Sequence, residues 1–430
     1  MIILKNSLLK FINITFIFIV LFNILYNYTT FSYAADILFT RESNNAFENN
    51  TINTSLNMKE NSSPPSINAR SAIVLDRNSK KILYKKNELN RVKMASTTKI
   101  MTALIVIENS NLKDVITISK KASIVRGSRV GLKENDKVSL IDLLYGLMLC
   151  SGNDAAIALS EHVGGSVENF CNLMNNKAIS LGLKNTHFES PHGLDSDGHY
   201  TTAYELSLIA DYALNNELFA KIVNTKFHSI KINNTNKDIK NTNELLGNLN
   251  GVYGVKTGFT NGANRCLVTA CKRNKMDIIC VILGCDTKNF RTTDSTKLIE
   301  FVYNNFEYIN IGELLRKHFN SWVDQNLDTI QIVKGNTDQS LNLDYNKAFY
   351  DYLPIEKSKL ETINVEITCS KTLIAPISSN SIIGTIKILE NNDILFETNI
   401  ILKNTIEKKT IKNYIVEIIK ELKVLSLNSF

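Results

Sequence analysis

Apolar and polar positions follow two rhythms along this chain, and the change between them divides it. In "ARSAIVLDRNSKKILYKKN" two apolar bursts flank "RNSK", which predicts a strand hairpin. Residues 100, 101 and 103 to 107 are then all apolar, so the helix expected from about Ser96 to Glu108 lacks a polar face and belongs in a core. "SLIDLLYGLMLC" predicts a second buried helix, with Ser139 as N-cap and Asp142 at capping-box spacing. It runs into "SGND", where Gly152 and Asn153 punctuate its end. "DAAIALSEHVGG" and "SVENFCNLMNNKAISLGL" predict short helices stopped by glycines, and "TTAYELSLIADYAL" opens on Thr202 and Glu205 in the capping arrangement.

After an Asn/Lys-rich stretch the rhythm shortens. "GVYGVKT", "RCLVTACKR" and "MDIICVILGC" have strand length and β-branched content, "KRNK" reads as a hairpin turn, and "TTDSTKLIEFVYNNF" as a closing helix. A strand pair, a block of helices, then strands ending in a helix predict an α+β fold: an antiparallel sheet with a helical cluster packed on it. Past residue 310 the pieces "TIQIVKG", "TINVEITCS", "SIIGTIKIL" and "DILFETNIIL" predict a separate, smaller β-rich domain. In the last twenty residues Ile411, Tyr414, Ile415, Ile418, Ile419, Leu422 and Leu425 fall at helical spacing, an amphipathic tail helix. Packing on the β domain and lying in a membrane interface both remain open for it.

The N-terminus adds an address. Lys5 and Lys10 precede "FINITFIFIVLF", and "FSYAAD" offers small residues around Ala34, the layout of a secretory signal; an uncleaved anchor is the alternative, and either implies export. The expected divisions are 1–34 signal peptide, 35–66 polar spacer, 67–310 α+β domain, 311–405 β-rich domain and 406–430 tail helix. Losing residues 1–34 removes two lysines and no acids, so the net charge of +7 becomes +5. With no run of basic residues, a nucleic-acid footprint is not expected. Seven cysteines without a CxxC spacing read as small core residues.

The candidate chemistry lies in three short motifs. "STTK" (96–99) opens the first buried helix, "SGN" (151–153) follows the second, and "KTG" (256–258) ends a strand. S-x-x-K alone says little, since Ser7 and Lys10 satisfy it too; the order and context of the three together carry the signal. Lys99 is one turn from Ser96 at the mouth of an apolar helix, so desolvation disfavours its charged form. A neutral amine beside a serine hydroxyl is a general base. Ser151 can relay a proton and the Asn153 amide can orient a substrate carbonyl. Lys256 adds positive charge and can attract a carboxylate, Thr257 supplies a hydroxyl, and Gly258 leaves room for an extended peptide along the strand edge. The N–H groups of Phe259 and Ser96 would form an oxyanion hole.

Together with "SRVGLKENDKVSLIDLLYGLMLCSGNDAAIALSEHVGGS", "SPHGLD", "VKTGFT" and "APISSNSIIGTIKI", these motifs make the chain resemble the low-molecular-mass penicillin-binding proteins that are D-alanyl-D-alanine carboxypeptidases, over roughly residues 67 to 400. The resemblance implies an acylated nucleophile at Ser96, its base at Lys99, and Ser151, Asn153 and Lys256 to Gly258 as the second and third elements. It also implies a β-lactamase/transpeptidase-like fold, removal of the terminal D-alanine from peptidoglycan stem pentapeptides, covalent inhibition by β-lactams and no cofactor. Arg291, in "CDTKNFRTTDS", falls where the family tends to carry an arginine for the substrate's terminal carboxylate. The tail (411–430) matches the way many members attach to the outer face of the cytoplasmic membrane. Its mixed charges and the length of the spacer depart from the pattern.

Three other classes of protein share part of this pattern. A β-lactamase shares the motifs but needs a glutamate holding a water, for which Glu189 and Glu205 lie in the right interval. A non-catalytic β-lactam sensor or wall-binding module would carry a signalling segment. A metal peptidase would draw on His187, His192, His199, Asp195 and Asp197 in "HFESPHGLDSDGH", yet neither H-E-x-x-H nor H-x-x-E-H occurs.

Overall fold

The computed structural model describes residues 63–335, 340–416 and 418–419. The signal segment, the spacer up to residue 62 and the tail from residue 420 lie outside the described residues.

Strands β1 (Ser71–Asp76) and β2 (Ile82–Lys86) form the expected hairpin around the Arg77–Lys81 turn. They join β7 (Val252–Thr260), β8 (Asn264–Arg273) and β9 (Met276–Cys285) in a five-stranded antiparallel sheet of order β2-β1-β9-β8-β7. Because β9 is central it is buried on both faces, which explains its nearly unbroken apolar sequence. Its side chains still alternate with period two. Ile279, Val281 and Leu283 pack on the helical side, while Ile278, Cys280 and Ile282 pack against α8 (Lys288–Asn305) through Leu298, Ile299 and Val302.

On the helical side, α1 (Lys99–Asn109) runs through the middle of the core, with eight of its eleven residues buried. Around it pack α3 (Leu140–Leu149), α4 (Asn153–Gly164), α5 (Val167–Ser180) and α6 (Ala203–Leu214). Helices α2 (Lys120–Ile124) and α7 (Glu217–Val223) are short additions. Ser139 caps α3 as expected: its Oγ accepts the Asp142 N–H and donates to the Asp142 carboxylate. Thr202 caps α6, but the reciprocal half of that box is not made. The Glu205 carboxylate instead accepts the backbone N–H groups of Lys184 and Asn185 and the Thr186 hydroxyl.

The Asn/Lys-rich stretch, for which no element is expected, forms a hairpin of β5 (Phe227–Ile232) and β6 (Thr235–Lys240), joined to β3 (Val115–Thr117) and β4 (Lys137–Ser139) in a second sheet of order β3-β4-β5-β6. Buried Ile230 and Ile239 hold it to the core; the rest of its faces are largely solvated, which hides the strands in the sequence.

Beyond residue 310 the chain is β-rich, with one exception to expectation. The helix α9 (Ile311–Asn326) precedes the strands, and Ile311, Leu315 and Phe319 at i, i+4 and i+8 fasten it to the local core. Strands β12 (Leu343–Tyr345), β14 (Ile363–Cys369), β16 (Ile382–Glu390) and β17 (Asp393–Leu402) form a sheet of order β12-β17-β16-β14. β11 (Gln331–Val333) pairs with β15 (Thr372–Ile374), and β10 (Phe306–Asn310) with β13 (Tyr352–Glu356). Residues 411–416 and 418–419 are helical, and Ile411, Ile415 and Ile418 are exposed. Among the described residues no helix is long and apolar enough to cross a membrane.

Candidate active site

Ser96 sits on a 3-10 turn, Ala95–Thr98, that leads directly into α1, so the regular helix begins at Lys99 and not at the serine. The turn starts from Ala95 at φ +49°, a backbone conformation that alanine rarely adopts. The structure holds it from two sides. Gly193 packs so closely on the Ala95 carbonyl that a Cβ there would lie 2.0 Å from the oxygen. A Cβ on Gly258 of β7 would meet the Met94 carbonyl and the Ser96 amide nitrogen at 3.1 Å. A side chain at Gly258 would therefore press on the serine turn, in addition to filling the strand edge beside it. β7 is the outer strand of its sheet, and Thr257, Gly258, Phe259 and Thr260 near its end line the clefts beside the serine.

Lys99 is fully buried. Its Nζ lies 2.9 Å from Ser96 Oγ and donates to Asn153 Oδ1 at 2.7 Å and to the His192 carbonyl at 2.8 Å. An ammonium has three donors and no lone pair, whereas a neutral amine has two donors and one lone pair. In the neutral form the amine can keep its bonds to Asn153 and His192 and still accept the Ser96 proton. Burial pushes the Lys99 pKa well below its ordinary value, and the neighbouring Lys256 adds to the fall.

The Asn153 oxygen accepts from Lys99 and its Nδ2 donates to the Arg126 carbonyl at 2.6 Å, while the second N–H of that amide is left over at the cleft that Asn153 lines. Asn153 begins helix α4, with Gly152 as N-cap, and does not terminate α3. Ser151, at φ +62°, lines the cleft, as Thr257 does. The Thr257 hydroxyl bonds that of Thr242 at 2.7 Å. Lys256 is buried beneath them with its Nζ donating to the Thr257 carbonyl, and burial lowers its pKa to about 7. Phe259 is half exposed, its ring covered by the Arg265 guanidinium at 3.6 Å.

Ser96 stands where two clefts meet, of about 570 and 440 Å³. Asn153 and Phe259 line the first; Ser151, Thr257, Gly258, Phe259 and Arg291 line the second. All nine residues expected from the sequence thus converge on one locality: seven line these clefts, and Lys99 and Lys256 lie buried under them. Arg291 is buried on α8 with its Nη2 3.5 Å from Glu244 Oε2, and its Nε has no partner.

Sequence reasoning missed several supporting residues. The buried Asp154 carboxylate accepts the N–H groups of Val130, Gly131 and Leu132 at 2.8, 2.7 and 3.0 Å and so fixes the loop that follows Gly127 and Ser128 at the cleft. An acid in the first turn of a helix was its only signal, and capping accounts for such acids equally well. Asp195 accepts from Thr260 Oγ1 and the Gly262 N–H, tying the "SPHGLD" loop to the end of β7. The histidines raised as metal ligands have other partners: His199 bonds Thr98 Oγ1 and the Glu189 N–H, and His187 the Gly198 carbonyl.

A buried amine against a serine, under a strand edge that can hold a peptide, defines an acyl-transfer site. Residues 58–287 match the family described as D-alanyl-D-alanine carboxypeptidase (Peptidase_S11), and residues 324–408 match the C-terminal domain of penicillin-binding protein 5. The D-alanyl-D-alanine carboxypeptidase DacF of Bacillus subtilis is 31% identical over 346 residues, covering 79% of this chain and 86% of that protein. DacC of Escherichia coli is 33% identical over 360 residues, covering 80% and 86%. Penicillin-binding protein 5 from Haemophilus influenzae superposes with a TM-score of 0.65 at 29% identity, covering 80% of this chain and 99% of that one. The Streptomyces K15 DD-transpeptidase does so with 0.54 at 36% identity, covering 56% and 98%. The chain belongs to the D-alanyl-D-alanine carboxypeptidase family. Its activity is that of a serine-type D-Ala-D-Ala carboxypeptidase.

Proposed function

We propose that Ser96 is the nucleophile of this carboxypeptidase and Lys99 its general base, acting on the D-alanyl-D-alanine end of peptidoglycan stem peptides. Ser96 Oγ attacks the carbonyl carbon of the penultimate D-alanine while its proton passes to Lys99 Nζ. The oxyanion faces the N–H groups of Ser96 and Phe259, each worth about 10² to 10³ in rate. The C–N bond then breaks, and the departing amine of the terminal D-alanine takes a proton through Ser151, leaving an acyl-Ser96 ester. Water hydrolyses that ester, with Lys99 again taking the proton. Thr257, Lys256 and Arg291 hold the terminal carboxylate, Gly258 lets β7 approach the serine turn, and Asn153 orients Lys99. A β-lactam, whose strained amide mimics the same bond, acylates Ser96 in the same way.

The observation that carries this reading is the environment of Lys99 Nζ: no exposure, two acceptors and the Ser96 hydroxyl at 2.9 Å. Ser96→Ala is expected to abolish D-alanine release and covalent penicillin labelling together. Labelling that survives in this variant removes Ser96 from its role.

The same reading divides the chain into a catalytic part at 67–310, a β-rich part at 311–405 and a tail. It also puts the enzyme outside the cytoplasm, delivered by residues 1–34 and held peripherally on the membrane by residues 411–430. The exposed Ile411, Ile415 and Ile418 support the last point. Flotation with anionic vesicles tests it: the full chain is expected to float and a chain ending at residue 405 to sediment, and equal behaviour contradicts it.

A further inference from the structure

The cleft that holds Arg291 is strongly basic. Lys240, Arg265, Lys288 and Arg291 line it, and Glu244 is the single acid among the residues that do. Glu244 belongs to no site motif, yet its carboxylate reaches the cation that awaits the substrate. Its Oε1 lies 2.5 Å from Lys288 Nζ, while its Oε2 stands 3.5 Å from Arg291 Nη2 and accepts from Thr292 Oγ1 at 3.3 Å. The geometry is asymmetric. Lys288 takes the short contact and leaves Arg291 only a long one, and the buried Arg291 Nε has no partner at all. A guanidinium carries five donors and is satisfied best by a bidentate carboxylate.

We propose that Glu244 is a specificity-determining positioning residue: it acts through Arg291 as a resident counter-ion that competes with the terminal carboxylate of the substrate, and Lys288 holds it aside. This rests on the reading of Arg291 given above. Glu244 keeps the arginine oriented when the cleft is empty and places a fixed negative charge beside the leaving residue. A terminal D-alanine brings one carboxylate, which Arg291 can accept while Glu244 stays on Lys288. A terminal D-glutamate brings a second carboxylate into the neighbourhood of Glu244, and like charges at close approach disfavour each other. The enzyme therefore selects against acidic leaving residues, and against β-lactams with an added anion on the carboxylate-bearing ring.

The test is steady-state kinetics on the full chain with diacetyl-L-lysyl-D-alanyl-D-alanine and the same peptide ending in D-glutamate. Glu244→Gln is expected to lower KM for the D-alanine peptide about two- to fivefold, the scale of a partly exposed ion pair, and to lower it further for the D-glutamate peptide, with kcat following neither change. Lys288→Met, which frees Glu244 to close on Arg291, is expected to raise KM, and to raise it distinctly less when Glu244→Gln is already present. An unchanged or raised KM in Glu244→Gln, an equal effect on both peptides, or an equal effect of Lys288→Met in both backgrounds overturns the proposal. Arg291→Gln separates this from the underlying reading. If Arg291 is the carboxylate anchor, KM rises and the benefit of Glu244→Gln disappears; if KM does not rise, the assignment of Arg291 fails, and the proposal with it.

Discussion

Lys99, Lys256, Arg291, Asp154 and Asp294 are all buried in the part of the chain that holds Ser96, whereas beyond residue 310 Thr398 is the single buried polar side chain among the described residues. The core there is otherwise Ile, Leu, Phe and Ala: Ile386, Ile388 and Ile400 under the sheet, Ile311, Leu315 and Phe319 from α9. Burying apolar area stabilises a fold; burying an amine opposes it unless the group is paired or neutral. One region thus spends stability on chemistry and the other supplies a plain core. At the site itself Ala95 and Ser151 both hold positive φ beside the reacting groups.

This contrast can be broken by substitution. The largest effect is expected from Lys99→Met, which keeps the volume and removes the base. Acylation by penicillin should slow by about 10² to 10⁴, the usual worth of a general base, while thermal stability holds or rises because a buried amine is gone. Slow acylation together with a large loss of stability would instead make Lys99 a structural residue. Next comes Ile386→Ala in the β-rich part, expected to cost about 2–5 kcal/mol in chemical denaturation and to leave the acylation rate of the folded protein untouched. A slowed rate there would mean that the two parts are energetically coupled at the site.

A smaller effect concerns pH. Lys256 has its pKa lowered to about 7 from 10.5 by burial, so the unfolded chain binds more protons than the folded one between those values. Stability should therefore rise with pH from 7 upward. The thiol of Cys266, raised by burial to about 11 from 9.0, works in the opposite sense: above pH 9 the unfolded chain loses a proton that the folded one keeps. Melting temperature is expected to climb from pH 7 to about 9 and then turn over, with the climb reduced in Lys256→Met. A flat profile in that interval contradicts the buried-lysine assignment.

How much of this was readable in the chain depended on how local the cause was. The sheet strands β8 and β9, the buried helices α1 and α3 and the three motifs carry their signals within a few residues, and a buried apolar run next to S-x-x-K states its own anomaly. Helix α9 was hidden among strand-like pieces because only Ile311, Leu315 and Phe319 mark its inner face. The β5–β6 hairpin was hidden because its strands bury so little. At the site, the identity of each group was legible but not its partner. Asn153 turns to Lys99 and Arg126, Glu205 leaves its capping box for residues 184–186, and Glu244 meets Arg291 from 47 residues away. Such pairings are set by how distant segments pack, and spacing along the chain does not encode them.

Burial beside Ser96 makes Lys99 a base for that hydroxyl. Mass spectrometry of the protein after penicillin treatment, followed by identification of the labelled peptide, is the decisive experiment. One penicilloyl adduct is expected on the peptide that contains Ser96 in the native chain, with loss of that adduct in Lys99→Met. An adduct on any other residue, or an undiminished adduct on Ser96 at an unchanged rate in Lys99→Met, would contradict it.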